Sequence, residues 1–574
     1  MTGLRAPSVR GVAPRTATPG VADPRTATPR VATPESRGLS PDAPVPLGTV
    51  VDLAPGLLHP APDLLVGGSP RRLVRLSVAG VGALAELGAG PAGSPAAARL
   101  ARHLTDTGMA VVRAGPADRP GRAAGAVTVV VPARDRAQQL DRSLRALDAP
   151  VTVVDDGSED PEAIAAVCDA HGAGLLRRTV AGGPAAARNS ALGAVATELV
   201  AFVDSDCMPP RGWIDALRGH LDDPLVAAVA PRVVGETRES PLDLGPLPGP
   251  VAPGTRVPYV PAAALLVRRD ALGDGFDESL RFGEDVDLVW RLVDAGWRVR
   301  YDPSVVAVHD EPTALGARVR RSYCYGTSAG PLARRHGGAV SHLALSPAQG
   351  AAVAAVVAGR PVLGVAWSVV SVWSAARRLA AYGLPATVAT TLSARAAIES
   401  WSSTGRWCRQ LGLVPLGAIG ALGALRAVRA VVFGLRAAEP GAVRSGAVRS
   451  GVPRPGSLRP GSRPLRCAVR RVAALALALG VLPAVAASIG RRRTGEAGRS
   501  TPVAPAADRL ACDVAYGLGV YVGCARARTA APLVPAVGTE RLSPSSSPGR
   551  GRPARRPRRP PWRRGGAPAR RAPR

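Results

Sequence analysis

The chain has no lysine and only one asparagine, Asn189, among its 574 residues. All 73 basic residues are therefore arginines, and alanine, glycine, proline, valine and arginine dominate throughout. Codons for lysine and asparagine are rich in A and T, so this composition is typical of a very GC-rich genome. The use of arginine in place of lysine thus says little about bidentate recognition. An asparagine that persists under such pressure is a candidate functional residue.

The seven cysteines form no C-x-x-C pair. Their spacing supports neither a zinc site nor a disulfide framework. An odd number of loosely spaced cysteines is typical of a reducing compartment. Residues 1–45 also contain no apolar run of the kind found in signal peptides. We therefore expect a cytoplasmic protein, either free or attached to the inner face of the cell membrane.

Acidic residues are also scarce, with 43 against 73 arginines, which gives a formal net charge of +30. Such a charge would ordinarily suggest nucleic acid or an anionic membrane as a partner. However, residues 549–574 carry many arginines and one tryptophan, without an acid or a nucleic-acid-binding motif. A solvated, disordered tail explains this segment better. Nucleic-acid binding through the tail stays an alternative.

Changes in composition divide the chain into five regions. Residues 1–45, a degenerate Pro/Thr/Arg repeat, and the basic residues 491–574 are expected to be disordered. Residues 46–118 show strand and short-helix patterns, which we interpret as a small winged-helix-like α+β module. Residues 120–330 alternate apolar strands with helices, a pattern that predicts an α/β domain with a mostly parallel sheet. Residues 331–490 are rich in alanine and are predicted to be helical.

Three apolar stretches follow the α/β domain, at residues 351–376, 411–425 and 472–489. Arg360 and Pro361 interrupt the first stretch, and the second is short for a bilayer. The third reaches the roughly 18 to 20 apolar residues that a span requires. Because runs of alanine and glycine are weak signals for a membrane span, mutually packed helices and interfacial helices stay alternatives.

Polar residues follow several predicted strands of residues 120–330. Asp155 and Asp156 end "VTVVDD", and Asp204 and Asp206 follow "ELVAFV". Ligands bind beyond the carboxyl ends of strands in such sheets. Two carboxylates one residue apart are costly unless a cation neutralises them, and oxygen ligands suit Mg²⁺ or Mn²⁺. An acidic turn that caps the helix after Pro209 explains the second pair equally well.

Two predicted helices begin with candidate functional residues. The segment "GGPAAARN" starts a helix with glycines, which suits close approach to a ligand, and Arg188 and Asn189 lie in its second turn. Glu284 and Asp285 begin the helix "EDVDLVWRLVD". Acids at a helix start are usually only partners of the helix dipole. Glu284 and Asp285 are therefore interpreted as functional residues only in combination with the other motifs.

The order of these motifs over about 126–309 resembles the family 2 glycosyltransferases, which have the Rossmann-like GT-A fold. The resemblance implies a nucleotide-sugar site formed by Pro132, Ala133, Arg134, Asp155, Asp156, Arg188, Asn189 and Asp204. It implies a divalent cation, Mg²⁺ or Mn²⁺, bound by Asp204, Asp206 and His309. It also implies that Asp285, supported by Glu284, is the catalytic base of a single inverting displacement.

A second resemblance, over about 46–490, is to the glycosyltransferases of mycofactocin systems in actinobacteria. The segments "DLLVGGSPRRLVRLS" and "RFGEDVDLVWRL" carry it. It implies UDP-glucose as the donor and a small, peptide-derived redox cofactor as the acceptor. Processive synthases of the cellulose or hyaluronan type carry a Q-x-x-R-W segment after the base. This sequence has no such segment, so we do not expect a processive polysaccharide synthase. Two alternatives stay open: a membrane-associated transferase for lipid or cell-wall acceptors, and a non-catalytic nucleotide- or nucleic-acid-binding protein.

Overall fold

The computed structural model describes residues 28–113, 126–341, 343–412 and 503–537. Within these ranges the protein is a mixed α/β structure with a central sheet, a small N-terminal module and a helical C-terminal region. The predicted fold class is confirmed.

The strands are β1 (Val51–Leu53), β2 (Leu58–Ala61), β3 (Leu64–Gly67), β4 (Arg72–Arg75), β5 (Ala110–Val112), β6 (Val127–Ala133), β7 (Val151–Asp156), β8 (Gly174–Arg178), β9 (Leu199–Val203), β10 (Cys207–Met208), β11 (Val226–Gly235), β12 (Gly249–Pro250), β13 (Ala264–Arg268), β14 (Arg298–His309), β15 (Ala344–Leu345) and β16 (Ala536–Val537). The helices are α1 (Val78–Ala89), α2 (Pro95–Asp106), α3 (Ala137–Ala146), α4 (Pro161–His171), α5 (Pro184–Leu192), α6 (Trp213–Arg218), α7 (Glu284–Asp294), α8 (Leu315–Thr327), α9 (Ala329–His336), α10 (Pro347–Val357), α11 (Pro361–Ala381), α12 (Ala386–Trp407) and α13 (Val503–Ala527).

The central sheet has the strand order β10-β14-β11-β13-β9-β6-β7-β8, with β12 beside β14. The half built from β8, β7, β6 and β9 is parallel, as predicted from its strand–helix alternation. Beyond β9 the sheet is mixed, because β13 runs antiparallel to both of its neighbours. The prediction of a mostly parallel sheet therefore holds only for the first half, where helices connect the strands.

The core lies on both faces of this sheet. Val129 and Val131 pack on one face and Val130 on the other, as the two-residue period of a strand requires. Both faces of β9 are covered, and all five of its residues are buried. Its near-continuous apolar sequence is typical of a strand in the centre of a parallel sheet.

The N-terminal module pairs β1 with β5 and forms a second, three-stranded antiparallel sheet from β2, β3 and β4. Helices α1 and α2 cover it, and the winged-helix interpretation stays a prediction. A buried ion pair joins the module to the central domain: Arg102 donates to the Asp223 carboxylate at 2.6 and 2.8 Å.

Residues 28–45 are ordered against the central domain. The indole nitrogen of Trp297 donates to the carbonyl of Ala32 at 2.7 Å, and the amide of Arg30 donates to Asp274 at 2.9 Å. The prediction that all of residues 1–45 are disordered is therefore wrong for 28–45. Both partners lie more than 240 positions away, so the repeat composition gave no sign of them. Residues 1–27 lie outside the described residues.

Helix α13 occupies part of the segment predicted as a disordered basic tail. Val520 and Cys524 of this helix form a buried cluster with Ala329 and Leu411. The prediction for residues 491–574 is therefore wrong for 503–537, because an apolar helix face within the segment finds a partner surface. The arginine-rich end, 549–574, lies outside the described residues.

The apolar stretch 351–376 is divided between α10 and α11 at Arg360 and Pro361. Among the helices of the described ranges, none combines the length and the apolar character needed to cross a bilayer. The stretch 472–489 and almost all of 411–425 lie outside those ranges.

Candidate active site

A cavity of about 1830 Å³ opens beyond the carboxyl ends of β6, β7 and β9. Ten of the twelve site residues predicted from the sequence line it: Pro132, Ala133, Arg134, Asp156, Arg188, Asp204, Asp206, Glu284, Asp285 and His309. Asp155 and Asn189 do not line it. The cavity thus brings together side chains at the ends of four strands, β6, β7, β9 and β14, and near the starts of two helices.

The carboxylate of Asp156 is fixed at the start of α5. It accepts hydrogen bonds from the amides of Gly182 and Gly183, at 2.9 and 2.6 Å, and from Nε of Arg178 at 2.8 Å. Backbone amides at a helix start favour a negative charge. Asp156 therefore joins the end of β7 to the glycine segment, and this contact shapes one wall of the cavity.

Asp155 has a different role from its neighbour. Its Oδ1 accepts the amide hydrogen of Ser158 at 2.9 Å, which closes the turn after β7. Its Oδ2 is buried and has no hydrogen-bond partner within the described residues. The sequence predicted that Asp155 contacts the nucleotide, but in this structure it faces the turn and not the cavity.

Asn189 is a structural residue. Its Nδ2 donates to the carbonyl of Phe276 at 2.8 Å, and its Oδ1 accepts the Phe276 amide hydrogen at 2.8 Å. Nδ2 also donates to Glu278 at 3.0 Å. Asn189 does not line the cavity in this structure, and its assignment to the nucleotide site stays a prediction. Successive helix positions point about 100° apart, so Arg188 faces the cavity while Asn189 faces the loop.

Arg188 lies between the two groups of acids. It donates to Asp204 at 2.6 Å and to Glu284 at 3.0 Å, and its guanidinium lies 5.2 Å from the centre of the Phe276 ring. Its side chain is only 3% exposed. Because an unpaired buried charge is costly, these contacts fix the arginine and the two acids relative to one another.

Asp206 and His309 lie close together at the edge of the cavity. Nε2 of His309 is 3.3 Å from Asp206, and Arg136 forms an ion pair with the same carboxylate. Burial raises the pKa of Asp206, but the hydrogen bond and charge of His309 and the charge of Arg136 outweigh burial and lower it overall. Asp206 is therefore ionised at neutral pH and lies beside Arg136 and His309.

Gly283 precedes the acids of α7 and has a positive φ of 79°. A Cβ at this position would lie 3.0 Å from the side chain of Ser328, so a larger residue would strain both the backbone and the contact with α9. The glycine allows the chain to turn sharply into α7. Glu284 and Asp285 therefore begin the helix at the wall of the cavity.

Burial raises the pKa of Glu284 to about 7, and the adjacent charge of Asp285 adds to this effect. Burial also raises the pKa of Asp285, although the charge of Arg188 opposes it. Asp285 accepts the amide hydrogens of Val286 at 2.8 Å and Ala262 at 3.3 Å. A carboxylate with a raised pKa that faces a cavity is suited to accept a proton near neutral pH.

Several cavity residues were missed from the sequence. Arg136 lies two positions after Arg134, which was predicted from the sequence, and could have been recognised there. Tyr259, Tyr325 and Tyr516 also line the cavity, but they carry no motif and are up to 257 positions apart. Only the packing of α8 and α13 on the central domain brings these tyrosines together.

Residues 128–261 match the model of the family described as Glycosyl transferase family 2. The matched segment begins in β6 and includes Asp156, Arg188, Asp204 and Asp206, and it ends before α7. The predicted resemblance to family 2 is thereby confirmed.

Over 304 residues the chain is 44% identical to the pre-mycofactocin glycosyltransferases of two strains of Mycobacterium tuberculosis. The match covers 49% of this chain and 62% of each relative. The chain thus spans less than two thirds of the length of these curated relatives. The match confirms the predicted resemblance to mycofactocin-system glycosyltransferases over the 304 aligned residues.

Two solved structures are distantly similar. The mannosyltransferase PcManGT from Pyrobaculum calidifontis, in complex with GDP-Man and Mn²⁺, is 20% identical, with 63% of this chain and 90% of that chain covered and a TM-score of 0.32. TarS of S. aureus is 18% identical, with 36% and 39% covered and a TM-score of 0.29. At these scores, neither structure supports an argument about donor, metal or acceptor.

Proposed function

We propose that this protein is an inverting, metal-dependent glycosyltransferase that transfers glucose from UDP-glucose to a peptide-derived redox cofactor in mycofactocin biosynthesis. One observation carries the proposal: Asp156, Asp204, Asp206 and Asp285 share a single cavity at the carboxyl ends of parallel strands. The names of the curated relatives support the pathway.

The donor would bind along the walls formed by the ends of β6, β7 and β9. Pro132, Ala133 and Arg134 line the part of the cavity assigned to the base of the nucleotide. The amides of Gly182 and Gly183 already hold the Asp156 carboxylate, which therefore has a fixed position from which to accept a hydroxyl hydrogen of the ribose. Arg188 and Asp204 lie further along the same wall.

The base in this proposal is Asp285. It would accept the proton of the acceptor hydroxyl, whose oxygen attacks the anomeric carbon while the bond to the UDP oxygen breaks. One displacement of this kind inverts the anomeric configuration. Glu284 accepts a hydrogen bond from Arg188, and this contact would hold Glu284 and the neighbouring base, Asp285, in position. General base catalysis of this type contributes about 10²- to 10⁴-fold to the rate.

Asp204, Asp206 and His309 would hold a divalent cation. The two carboxylates suit Mn²⁺ or Mg²⁺, and a bound ion would stabilise charge on the departing diphosphate. Within the described residues, no group of three or more potential ligands is already arranged around one point. Instead, Arg188 pairs with Asp204, and Arg136 pairs with Asp206. The two arginines thus neutralise Asp204 and Asp206, the carboxylates that would otherwise bind the cation.

Calorimetry of UDP-glucose binding, with and without Mn²⁺, tests the proposal. We expect Mn²⁺ to strengthen binding to the wild-type protein by at least tenfold and Asp206→Ala to abolish this gain. Asp169→Ala, which removes an exposed acid on α4, is the matched control and should bind as the wild type does. Failure of the wild type to bind any nucleotide sugar would refute the enzymatic proposal.

One observation favours lipid or cell-wall acceptors as a second candidate. Helix α11 exposes several large apolar side chains, among them Trp367 at 52% and Trp373 at 59%. Tryptophan and aliphatic residues on one helix are typical of interfacial helices. Co-sedimentation with anionic vesicles that is lost in Trp367→Ser/Trp373→Ser would support this candidate. The absence of co-sedimentation would argue against it.

A further inference from the structure

Aromatic residues are scarce in this chain, which has four phenylalanines, seven tyrosines and eight tryptophans. Five of them nevertheless line the cavity: Tyr259, Phe282, Trp290, Tyr325 and Tyr516. None belongs to the predicted donor wall, and all lie on the side where α7, α8 and α13 meet. The aromatic side chains of the cavity are therefore separate from the residues assigned to the donor.

Tyr259 and Tyr325 lie close to the base Asp285, and Tyr516 lies near Tyr259. Burial, followed by the nearby charge of Asp285, raises the pKa of Tyr259 to about 12. Burial also raises the pKa of Tyr325, and Asp285 and Asp204 add to the effect although Arg321 opposes it. The Tyr516 pKa is raised by burial and by neighbouring Tyr259. All three phenols therefore stay protonated at neutral pH, so they can offer rings and hydroxyl donors but cannot replace Asp285 as the base.

Helix α13 is fixed against α8 by close backbone contact. A Cβ on Gly326 would collide with the carbonyl of Tyr516, and a Cβ on Gly519 would collide with the carbonyl of Tyr323. Glycine at both positions lets the helices approach closely, which holds Tyr516 beside Tyr325. Because this contact involves backbone atoms, Tyr516 forms part of a rigid wall.

The face of α13 that meets the cavity also supplies polar groups. Asp513 accepts hydrogen bonds from Arg409 and from Gln410, each at 2.9 Å, and all three residues line the cavity. Asp513 and Tyr516 lie three positions apart and therefore share one helix face. The aromatic ring of Tyr516 beside the hydrogen-bonded carboxylate of Asp513 is suited to bind a ligand whose ring carries hydroxyl groups.

We infer that helix α13 forms the acceptor subsite, with Tyr516 contacting the face of an acceptor ring and thereby contributing to acceptor specificity. The inference rests on the proposed function, since the donor is assigned to the opposite wall. Two ring types present a suitable flat face, an aromatic ring and the C–H face of a sugar. Tyr516 is a binding residue in this proposal and takes no part in proton transfer.

Saturation-transfer NMR on the full chain in the presence of UDP tests the subsite. The probes are 4-methylphenol, which carries an aromatic ring alone, and methyl β-glucoside, which carries a sugar ring alone. We expect at least one probe to bind the wild type, and Tyr516→Ala and Tyr516→Leu to weaken it by at least fivefold. Tyr516→Phe, which keeps the ring, should stay within twofold. Leu518→Ala, which changes an exposed residue on the same helix, is the control.

The outcomes separate this inference from the proposed function. If neither probe binds the wild type, or if Tyr516→Leu binds as tightly as wild type, the subsite is refuted even where UDP-glucose binding is intact. If UDP and UDP-glucose fail to bind while a probe binds in a Tyr516-dependent way, the donor assignment fails and the subsite stands. Unchanged UDP affinity in each variant verifies that the cavity is folded.

Discussion

The side-chain amide of Asn189 forms two reciprocal hydrogen bonds with the backbone of Phe276, each 2.8 Å long. An asparagine side chain offers a donor and an acceptor in one plane, as a peptide group does. The pair holds the Phe276 ring beneath the guanidinium of Arg188. The only asparagine of the chain thus contacts the candidate active site from outside the cavity.

Asn189→Ala should therefore destabilise the protein without weakening donor binding. It leaves two backbone groups of Phe276 without their partners, at a cost of about 1–3 kcal/mol in the free energy of unfolding. Urea denaturation measures this cost, and Glu278→Ala, which removes only the more exposed third contact, is the control and should cost less than about 0.5 kcal/mol. If Asn189→Ala instead loses UDP-glucose binding while its stability is unchanged, Asn189 belongs to the nucleotide site.

Asp285→Asn should abolish transfer and keep donor binding. The amide cannot accept the acceptor proton, so kcat should fall by about 10²- to 10⁴-fold. The Kd of UDP-glucose should stay within threefold, measured by calorimetry. Asp294→Asn, at the exposed end of the same helix, is the matched control. A variant that transfers at the wild-type rate would show that another group is the base.

The pH dependence of kcat should reflect the raised pKa values of Glu284 and Asp285. Both carboxyls bind protons more tightly than usual, so kcat should rise with pH and level off only above about pH 7. Glu284→Gln should move this acid limb to lower pH, because the repulsion between the two acids is mutual. An acid limb at the ordinary carboxyl pKa near 4 would contradict the buried pair.

The same pKa shift has a consequence for stability. Between its ordinary pKa and about 7, Glu284 holds a proton in the folded protein and loses it in the unfolded chain. The unfolded state then binds fewer protons, so this group lowers the free energy of unfolding as pH rises through that window. Urea denaturation at several pH values in this window should show that the free energy of unfolding declines less with rising pH in Glu284→Gln than in the wild type.

Arg188→Met should destabilise the protein by about 3–5 kcal/mol, because Asp204 and Glu284 lose the cation that pairs with them. Arg188→Met/Glu284→Gln should recover part of this loss, with a coupling of at least about 1 kcal/mol in a double-mutant cycle. Arg134→Met, which removes a half-exposed arginine of the same cavity, is the control and should cost less than about 0.5 kcal/mol. Strict additivity would contradict a shared charge network.

The α/β domain and most of the cavity wall assigned to the donor could be predicted from local patterns in the sequence. Its strand ends, glycine turns and helix starts are local features, and the carboxyl ends of parallel strands must meet at one edge of the sheet. Asp156, Asp204 and Asp285 were therefore recognisable before the structure. Local patterns also gave the correct helix start at Glu284.

Other features depend on contacts between distant parts of the chain. Whether Asp155 faces the turn or the cavity depends on side-chain direction, and the role of Asn189 depends on a loop 87 positions away. The ordering of residues 28–45 and of α13 depends on partner surfaces that composition does not reveal. Tyr516 reaches the cavity because two glycine-bearing helices pack backbone against backbone. Such contacts join positions far apart in the chain, and no local pattern records them.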